Sequence, residues 1–354
     1  MSGSTITTVA VILFAATYLF LMIFAKYRAY IALGSAALFV ALGILPFKQV
    51  FTAVDWNVIM MIAGTMGTVA LFIESRMPAR LADLLINSVS TVKWAIVALS
   101  LFSALISAFI DNVATVLMVA PVAIGISKKL KISPVPSIIA IAIASNLEGA
   151  ATLVGDTTSI LLGGYADMNF MDFFFMNGKV GMFWIVQAAA VVATAVLFMM
   201  LRKYDRKIPD VEVEKVHDYF PTFLLLGTIL LLVLVSFVPK GSKPENINGI
   251  ICVAVYLVGL LSSIFIKKDR DLVRRSLKEI DFFTLMLLAG LFVVIAGIEN
   301  AGVISLVADM FQKLSGGKIF LMYTLVVWFS VFVSAFIDNI PYVATMLPVV
   351  TALN

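Results

Sequence analysis

The chain has 354 residues, 62% of them hydrophobic and only 13% charged, with a mean hydropathy of +1.08, whereas soluble globular chains are nearer half apolar and a quarter charged. An apolar surplus of this size fits lipid, and in such a chain the net charge of +4 reports orientation in a membrane, not affinity for nucleic acid. One cysteine, Cys252, and one histidine, His217, exclude a disulfide framework and a metal centre built from either residue.

A transmembrane helix needs about 20 mostly apolar residues. In chain order, the runs expected to span are 5–25, 30–46, 56–74, 135–166, 179–201, 222–239, 248–266 and 282–299. The first has no basic leader before it and reads as a retained span, not a cleaved signal. Residues 78–90 and 301–314 are short and amphipathic and are expected along the membrane surface. Two further apolar runs, 94–127 and 319–354, fit neither description. With the N-terminus outside, most of the 25 basic residues face the cytoplasm, among them Lys26, Arg28, Lys128, Lys129, Lys131 and the cluster from Lys267 to Lys278. The expectation is a multi-pass protein of the cell inner membrane, in contact with the lipid bilayer and with an extracytoplasmic N-terminus.

The chain repeats itself. Asp55 precedes an apolar helix with Gly64, and Asp281 precedes one with Gly290, at one shared offset. Ser107-Ala-Phe-Ile-Asp-Asn112 recurs letter for letter as Ser334-Ala-Phe-Ile-Asp-Asn339, at an offset one residue longer, and Pro121 and Pro348 follow in register. An odd number of crossings separates the helix at 30–46 from its counterpart at 248–266, so the copies are inserted in opposite senses. The expected organisation is an N-terminal transmembrane helix at 1–28, a first repeat at 29–201, a cytoplasmic connector and linking helix at 202–247, and a second repeat at 248–354. The polar stretch 202–221 reads as a solvated connector. The fold class expected is an all-α polytopic membrane protein with inverted repeats, re-entrant helical hairpins and a broken helix.

Residues 94–127 carry one charge, Asp111, at their middle. As one straight helix they would reach about 51 Å, far beyond a hydrocarbon core of about 30 Å, yet they are too few for two full spans. A hairpin with Asp111 and Asn112 at its tip fits, and both its ends lie among basic residues. The second copy, with Asp338 and Asn339 at its tip, would enter from the other face, so that the tips meet near the midplane. A carboxylate at the centre of a membrane helix costs about 2.5–3.5 kcal/mol on insertion scales. A bound sodium ion, a proton or a wet cavity would offset that cost. Asparagine adds an amide oxygen for a hard cation and an NH₂ for an anionic substrate. Asp111, Asn112, Asp338 and Asn339 are therefore the candidate sodium ligands, and no other cofactor is expected. The plainer alternative is that both aspartates only cap broken helices or pair with a lysine.

Residues 144–159 interrupt the run 135–166. Gly149 and Gly155 permit backbone bends, and Asn146, Thr152, Asp156, Thr157, Thr158 and Ser159 cluster oxygens that lipid would not tolerate. The stretch reads as a broken helix lining the same site, with an ordinary loop between short helices as the alternative. Asp55 and Asp281 read as helix caps. Glu148 either faces the cavity as a proton carrier or lies near the surface.

These motifs resemble the ion-transporter superfamily of arsenite permeases, the melanosomal P-protein, D-type sodium/proton antiporters and divalent-anion/sodium symporters. The resemblance runs along nearly the whole chain. It is carried by Ser107-Ala-Phe-Ile-Asp-Asn-Val-Ala-Thr115 with Pro121, by the stretch from Ser145-Asn146 to Gly155-Asp156, and by Ala335-Phe-Ile-Asp-Asn-Ile-Pro341. It implies ion and substrate binding by Asp111, Asn112, Thr115, Asn146, Gly149, Thr152, Gly155, Asp156, Asp338 and Asn339. Arsenite-permease and P-protein relatives usually read Gly-Asp-Pro-Pro-Asn where this chain has Gly155-Asp-Thr-Thr-Ser159, and the Thr-rich version leans towards cation exchange. Shifting the end of the first repeat by the repeat offset predicts a full chain of about 430 residues, longer than this sequence.

The function expected is ion-coupled secondary transport of a small inorganic or organic anion by alternating access, with sodium/proton antiport as the alternative. A homodimer is compatible with this reading, and nucleic acid is not a partner. A channel and an intramembrane aspartyl protease are the remaining readings; the duplication accounts for Asp111 and Asp338 without catalysis. No nucleotide-binding Gly-x-x-x-x-Gly-Lys-[Ser/Thr] motif occurs.

Overall fold

The computed structural model describes residues 3–130, 132–207 and 212–353. Lys131, counted above among the cytoplasmic bases, and the outermost residues of the first and last expected segments lie outside the described residues.

The protein is all-α. Helices α1 (Gly3–Ile23), α2 (Arg28–Ala41), α3 (Val50–Ala53), α4 (Trp56–Glu74) and α5 (Met77–Asn87) come first. The first interrupted run forms α6 (Val92–Ser107) and α7 (Asn112–Leu130), and the second forms α8 (Val135–Gly149) and α9 (Thr157–Tyr165). Then follow α10 (Met182–Met200), α11 (Phe220–Ser236), α12 (Ile247–Leu261) and the basic α13 (Arg270–Lys278). The second copy continues with α14 (Phe282–Asn300), α15 (Val303–Ser315), α16 (Ile319–Ser334) and α17 (Asn339–Ala352). The strands in the described residues are two-residue pieces, Phe175–Met176 and Lys179–Val180, joined by left-handed Asn177 and Gly178 as a tight hairpin requires. Among the described residues six helices are long and apolar enough to cross a membrane, which makes this a polytopic membrane protein.

Helix ends follow the local chemistry expected of them. Asp55 accepts the Val58 N–H at 3.0 Å and opens α4; Asp281 accepts the Thr284 N–H at 3.0 Å and opens α14. After both helices the chain turns through a left-handed residue, Arg76 in one copy and Gly302 at the matching position of the other.

The chain divides into two compact units. One comprises Met1–Ile59, Gly164–Ala166 and Asp281–Asn354. Within it α14 lies along α2: Phe283 meets Tyr30, Gly290 presses on the backbone at Ala32 and Leu33, and Gly297 receives the Phe39 ring. Phe39, Leu45, Val294 and Ile298 form its core. The other unit comprises Met60–Gly163 and Asp167–Ile280. There Gly64 presses on the backbone at Cys252 and Val253, Gly67 on the Tyr256 ring, and Gly259 receives Leu71. In both units the partners advance together along the chain, so each pair runs parallel. An inverted duplication demands this: the first helix of one copy travels in the direction of the second helix of the other. The end contacts repeat as well. Arg275 Nε lies 3.1 Å from Glu74 Oε1, and at the matching positions Asn300 Nδ2 donates to Gln49 Oε1 at 3.0 Å.

The connector after α10 keeps most of its described side chains exposed, as a solvated segment does, while its backbone is docked. Val92 and Lys93 donate their N–H groups to the Arg206 and Tyr204 carbonyls, each at 2.9 Å. These are first-turn donors of α6 with no partner inside the helix, and the extended chain satisfies them. Further on, the Glu214 N–H donates to Asp83 at 2.9 Å, the His217 N–H donates to the Ser75 carbonyl at 3.0 Å, and Lys267 pairs with Asp218. Asp83 is buried on α5; burial lifts its carboxyl above the ordinary range, and the Glu214 N–H pulls it back.

Candidate ion and substrate site

The first interrupted run is a hairpin. Val92, Ala95 and Ile96 at the start of α6 line one small cavity with Ile126 and Ser127 near the end of α7. Only antiparallel arms bring those positions together. The reversal falls at 108–111. Asp111 caps α7, its Oδ2 accepting the N–H groups of Val113 at 3.0 Å and Ala114 at 3.1 Å.

The tip is sewn to the break between α8 and α9. Asn112 Nδ2 donates to Asn146 Oδ1 at 2.8 Å. Ser107 Oγ donates to the Ser145 carbonyl at 2.8 Å, and the Ser145 hydroxyl lies 3.0 Å from both Ser107 Oγ and the Asn112 carbonyl. Thr152 donates to the Ala108 carbonyl. Asp156 opens α9: its carbonyl accepts the Ser159 and Ile160 N–H groups, each at 3.1 Å, and its Oδ2 accepts from Thr158 Oγ1 at 2.9 Å. Ser159 Oγ reaches the Gly149 carbonyl at 3.3 Å, while Thr157 is buried. Thr115 is wholly buried behind the tip, its hydroxyl 3.5 Å from the Ile110 carbonyl.

Gly149 and Gly155 flank the break between α8 and α9, where bends are expected, and close packing gives a second reason for their size. Neither has a left-handed backbone. Both are small because segments converge on them. A Cβ on Gly155 would stand 2.6, 2.7 and 2.9 Å from the carbonyls of Gly149, Ser107 and Ala108. At Gly149 the nearest atom would be Asp156 Cβ at 3.2 Å, with Asn112 Cβ at 3.7 Å. Glu148 is not at the surface: it is buried against α10, accepting from Gln187 Nε2 at 2.8 Å.

The second copy of the Asp-Asn run, α16 and α17, is also a hairpin, since Tyr342 of α17 donates to Ser330 Oγ of α16 at 2.8 Å. Asp338 caps α17 through the Ile340 N–H at 3.1 Å, and its other oxygen pairs with Arg28 at the head of α2. Asn339 Oδ1 accepts from Ser334 Oγ at 2.7 Å. From α1, the Tyr18 hydroxyl donates to the Pro341 carbonyl at 2.6 Å and touches Thr345. Capping, the plainer alternative for both aspartates, is therefore present at both, and Asp338 also has a basic partner, an arginine instead of a lysine. Arg28, Tyr18 and Gln187 are polar neighbours that the repeat pattern does not reveal: Arg28 reads as an orientation charge, and Tyr18 lies outside the duplication.

Eleven of the candidate residues thus gather in one unit: Asp111, Asn112, Thr115, Asn146, Gly149, Thr152, Gly155, Asp156, Thr157, Thr158 and Ser159. Asp338 and Asn339 lie in the other. Chemically, the first group offers the capping carboxylate of Asp111, the carboxylate of Asp156 held by a threonine hydroxyl, side-chain amides, hydroxyls and the N-termini of α7 and α9, where partial positive charge concentrates.

A family model described as citrate transporter matches residues 18–354. An uncharacterized transporter of Mycobacterium tuberculosis is 31% identical over 98% of this chain and 80% of its own length. A 46 kDa membrane protein of Mycobacterium leprae is also 31% identical, over 98% of this chain and 81% of its own. The human P protein is 26% identical over the whole chain and 51% of its own length. The chain belongs to the citrate transporter family, membrane transporters rather than enzymes, within the ion-transporter superfamily that its two tips resemble.

Proposed function

We propose that the protein is an ion-coupled secondary transporter that moves a small anion across the cell inner membrane by alternating access, with its N-terminus outside. The observation that carries this reading is the hydrogen-bonded lock between the first tip and the broken helix, centred on Asn112 and Asn146. A cation taken up at such a lock changes the partners of both segments at once, which is what coupling requires. Asp111 and Asn112 serve as cation ligands, with Asp338 and Asn339 as their counterparts, and sodium is the candidate ion. Asn146, Thr152 and the stretch from Gly155 to Ser159 form the substrate wall, with Thr115 and Gly149 supporting it. The family description makes citrate the first anion to test.

Sodium/proton exchange is the second reading. It is favoured by Thr157 and Thr158 standing where related chains carry prolines, with the Thr158 hydroxyl on Asp156 at 2.9 Å. Proteoliposomes holding the full chain, with sodium and pH gradients imposed separately, test both. Citrate uptake driven by either gradient supports anion transport. Sodium-driven proton movement that needs no anion selects exchange. If neither gradient drives any flux, coupled transport is wrong.

A further inference from the structure

We infer that Arg28 is the anion-binding residue of the second tip, and that the coupling cation releases it by taking its place on Asp338. The inference rests on the transporter reading above and gives it a physical coupling step. Asp338 is the only charged residue of the sequence beyond Lys318, and Arg28 opens the otherwise uncharged α2, with Lys26 two residues before it and Lys48 the next charge after it. Their pairing therefore joins the one charge of α2 to the aspartate that caps the uncharged α17, and loss of either partner leaves the other uncompensated. The pair is nevertheless reachable, with about a quarter of the Arg28 side chain and two fifths of the Asp338 side chain exposed (25% and 40%).

Four states of the tip follow from counting charge. With nothing bound, arginine neutralises aspartate. A cation alone satisfies Asp338 and strands Arg28. An anion alone satisfies Arg28 and strands Asp338. With both bound, Asp338 pairs with the cation and Arg28 with one carboxylate of the anion. Only the empty and the doubly occupied tips leave neither Asp338 nor Arg28 without a partner, and obligate co-transport requires the same two states to be the mobile ones. Arginine suits the second role because its planar fork matches a carboxylate or oxyanion with two parallel hydrogen bonds. The exchange need not detach the hairpin. Tyr18 holds α17 independently through the Pro341 carbonyl and Thr345, so the tip stays seated on α1 while its ion pair opens.

The test uses the full chain in proteoliposomes, with citrate as the anion probe, and detergent-solubilised protein for sodium binding. Arg28→Gln is expected to cut gradient-driven citrate uptake by at least about tenfold. The same variant should bind sodium more tightly than the wild type when citrate is absent, because Asp338 is no longer occupied. Arg28→Lys, which keeps the charge but not the fork, should raise KM for citrate several-fold with a smaller change in kcat. This variant decides the matter should Arg28→Gln fail to fold; an unchanged KM there overturns the inference. Citrate uptake by Arg28→Gln with wild-type KM and wild-type sodium dependence overturns it too, leaving the transporter reading intact. Absence of coupled uptake in the wild type sinks the transporter reading and takes this inference with it.

Discussion

Asp111 has two jobs that chemistry can separate. As a cap it accepts N–H groups from Val113 and Ala114, and asparagine caps a helix about as well as aspartate. As a cation ligand it needs its charge. Asp111→Asn should therefore express and melt like the wild type but lose ion-dependent transport. Asp111→Ala should in addition lose about 1 kcal/mol of stability through the missing cap. Unchanged coupling in the Asn variant, measured by gradient-driven uptake, would remove Asp111 from the site. The glycines of the break make a second contrast. Ala at Gly155 meets three backbone carbonyls that cannot move aside and should cost about 1–3 kcal/mol or more. Ala at Gly149 needs a shift of only a few tenths of an ångström against Asp156 and should be milder. Thermal melts that rank the two in reverse would contradict the packing described. At this scale the sequence displays the Asp-Asn tips because duplication repeats them and the apolar background isolates them. It hides Arg28, whose role depends on a partner about three hundred residues away, and it hides why Gly155 is glycine, since the crowding carbonyls come from segments distant in the chain.

Element boundaries are legible because a charge or a cap in an apolar run marks them. The two hairpins follow from length alone, and α5 and α15 from their amphipathic patterns. What sequence order obscures is partnership: α2 precedes α4 but packs along α14, and α4 packs along α12. Gly297 faces Phe39 in one pair, while in the other the glycine is on the opposite partner, Gly259 facing Leu71. Only contacts expose this reversed small-and-large matching. The docked connector was equally hidden, because its mixed charges look solvated while its backbone does the bonding. The left-handed turn after α4 offers a test at this scale. Its counterpart in the second copy is Gly302, so Arg76→Gly should be accommodated and should stabilise by up to about 1 kcal/mol through relief of the left-handed penalty. A Gly302→Arg change strains the matching turn and should destabilise by about 1–2 kcal/mol. A melt showing the same sign for both would refute the equivalence of the two turns.

For the whole molecule, the basic residues are proposed to set orientation, and the duplication the inversion. The charged pair Arg275–Glu74 and the neutral pair Asn300–Gln49 occupy matching positions, as expected if the first faces the cytoplasm and the second does not. Single cysteines at Arg206 and at Asn177 should accordingly react with a membrane-impermeant thiol reagent from opposite sides, Arg206 from the cytoplasm, in a chain whose native Cys252 is buried. Labelling of both from one side would contradict the topology. The most direct test of the central claim is accumulation. Full-length protein in proteoliposomes should concentrate citrate above its external level only while a sodium or proton gradient is imposed, and Asp111→Asn should abolish that concentration. Uptake that merely equilibrates whatever gradient is applied, or accumulation by Asp111→Asn equal to the wild type, would contradict coupled transport through these tips.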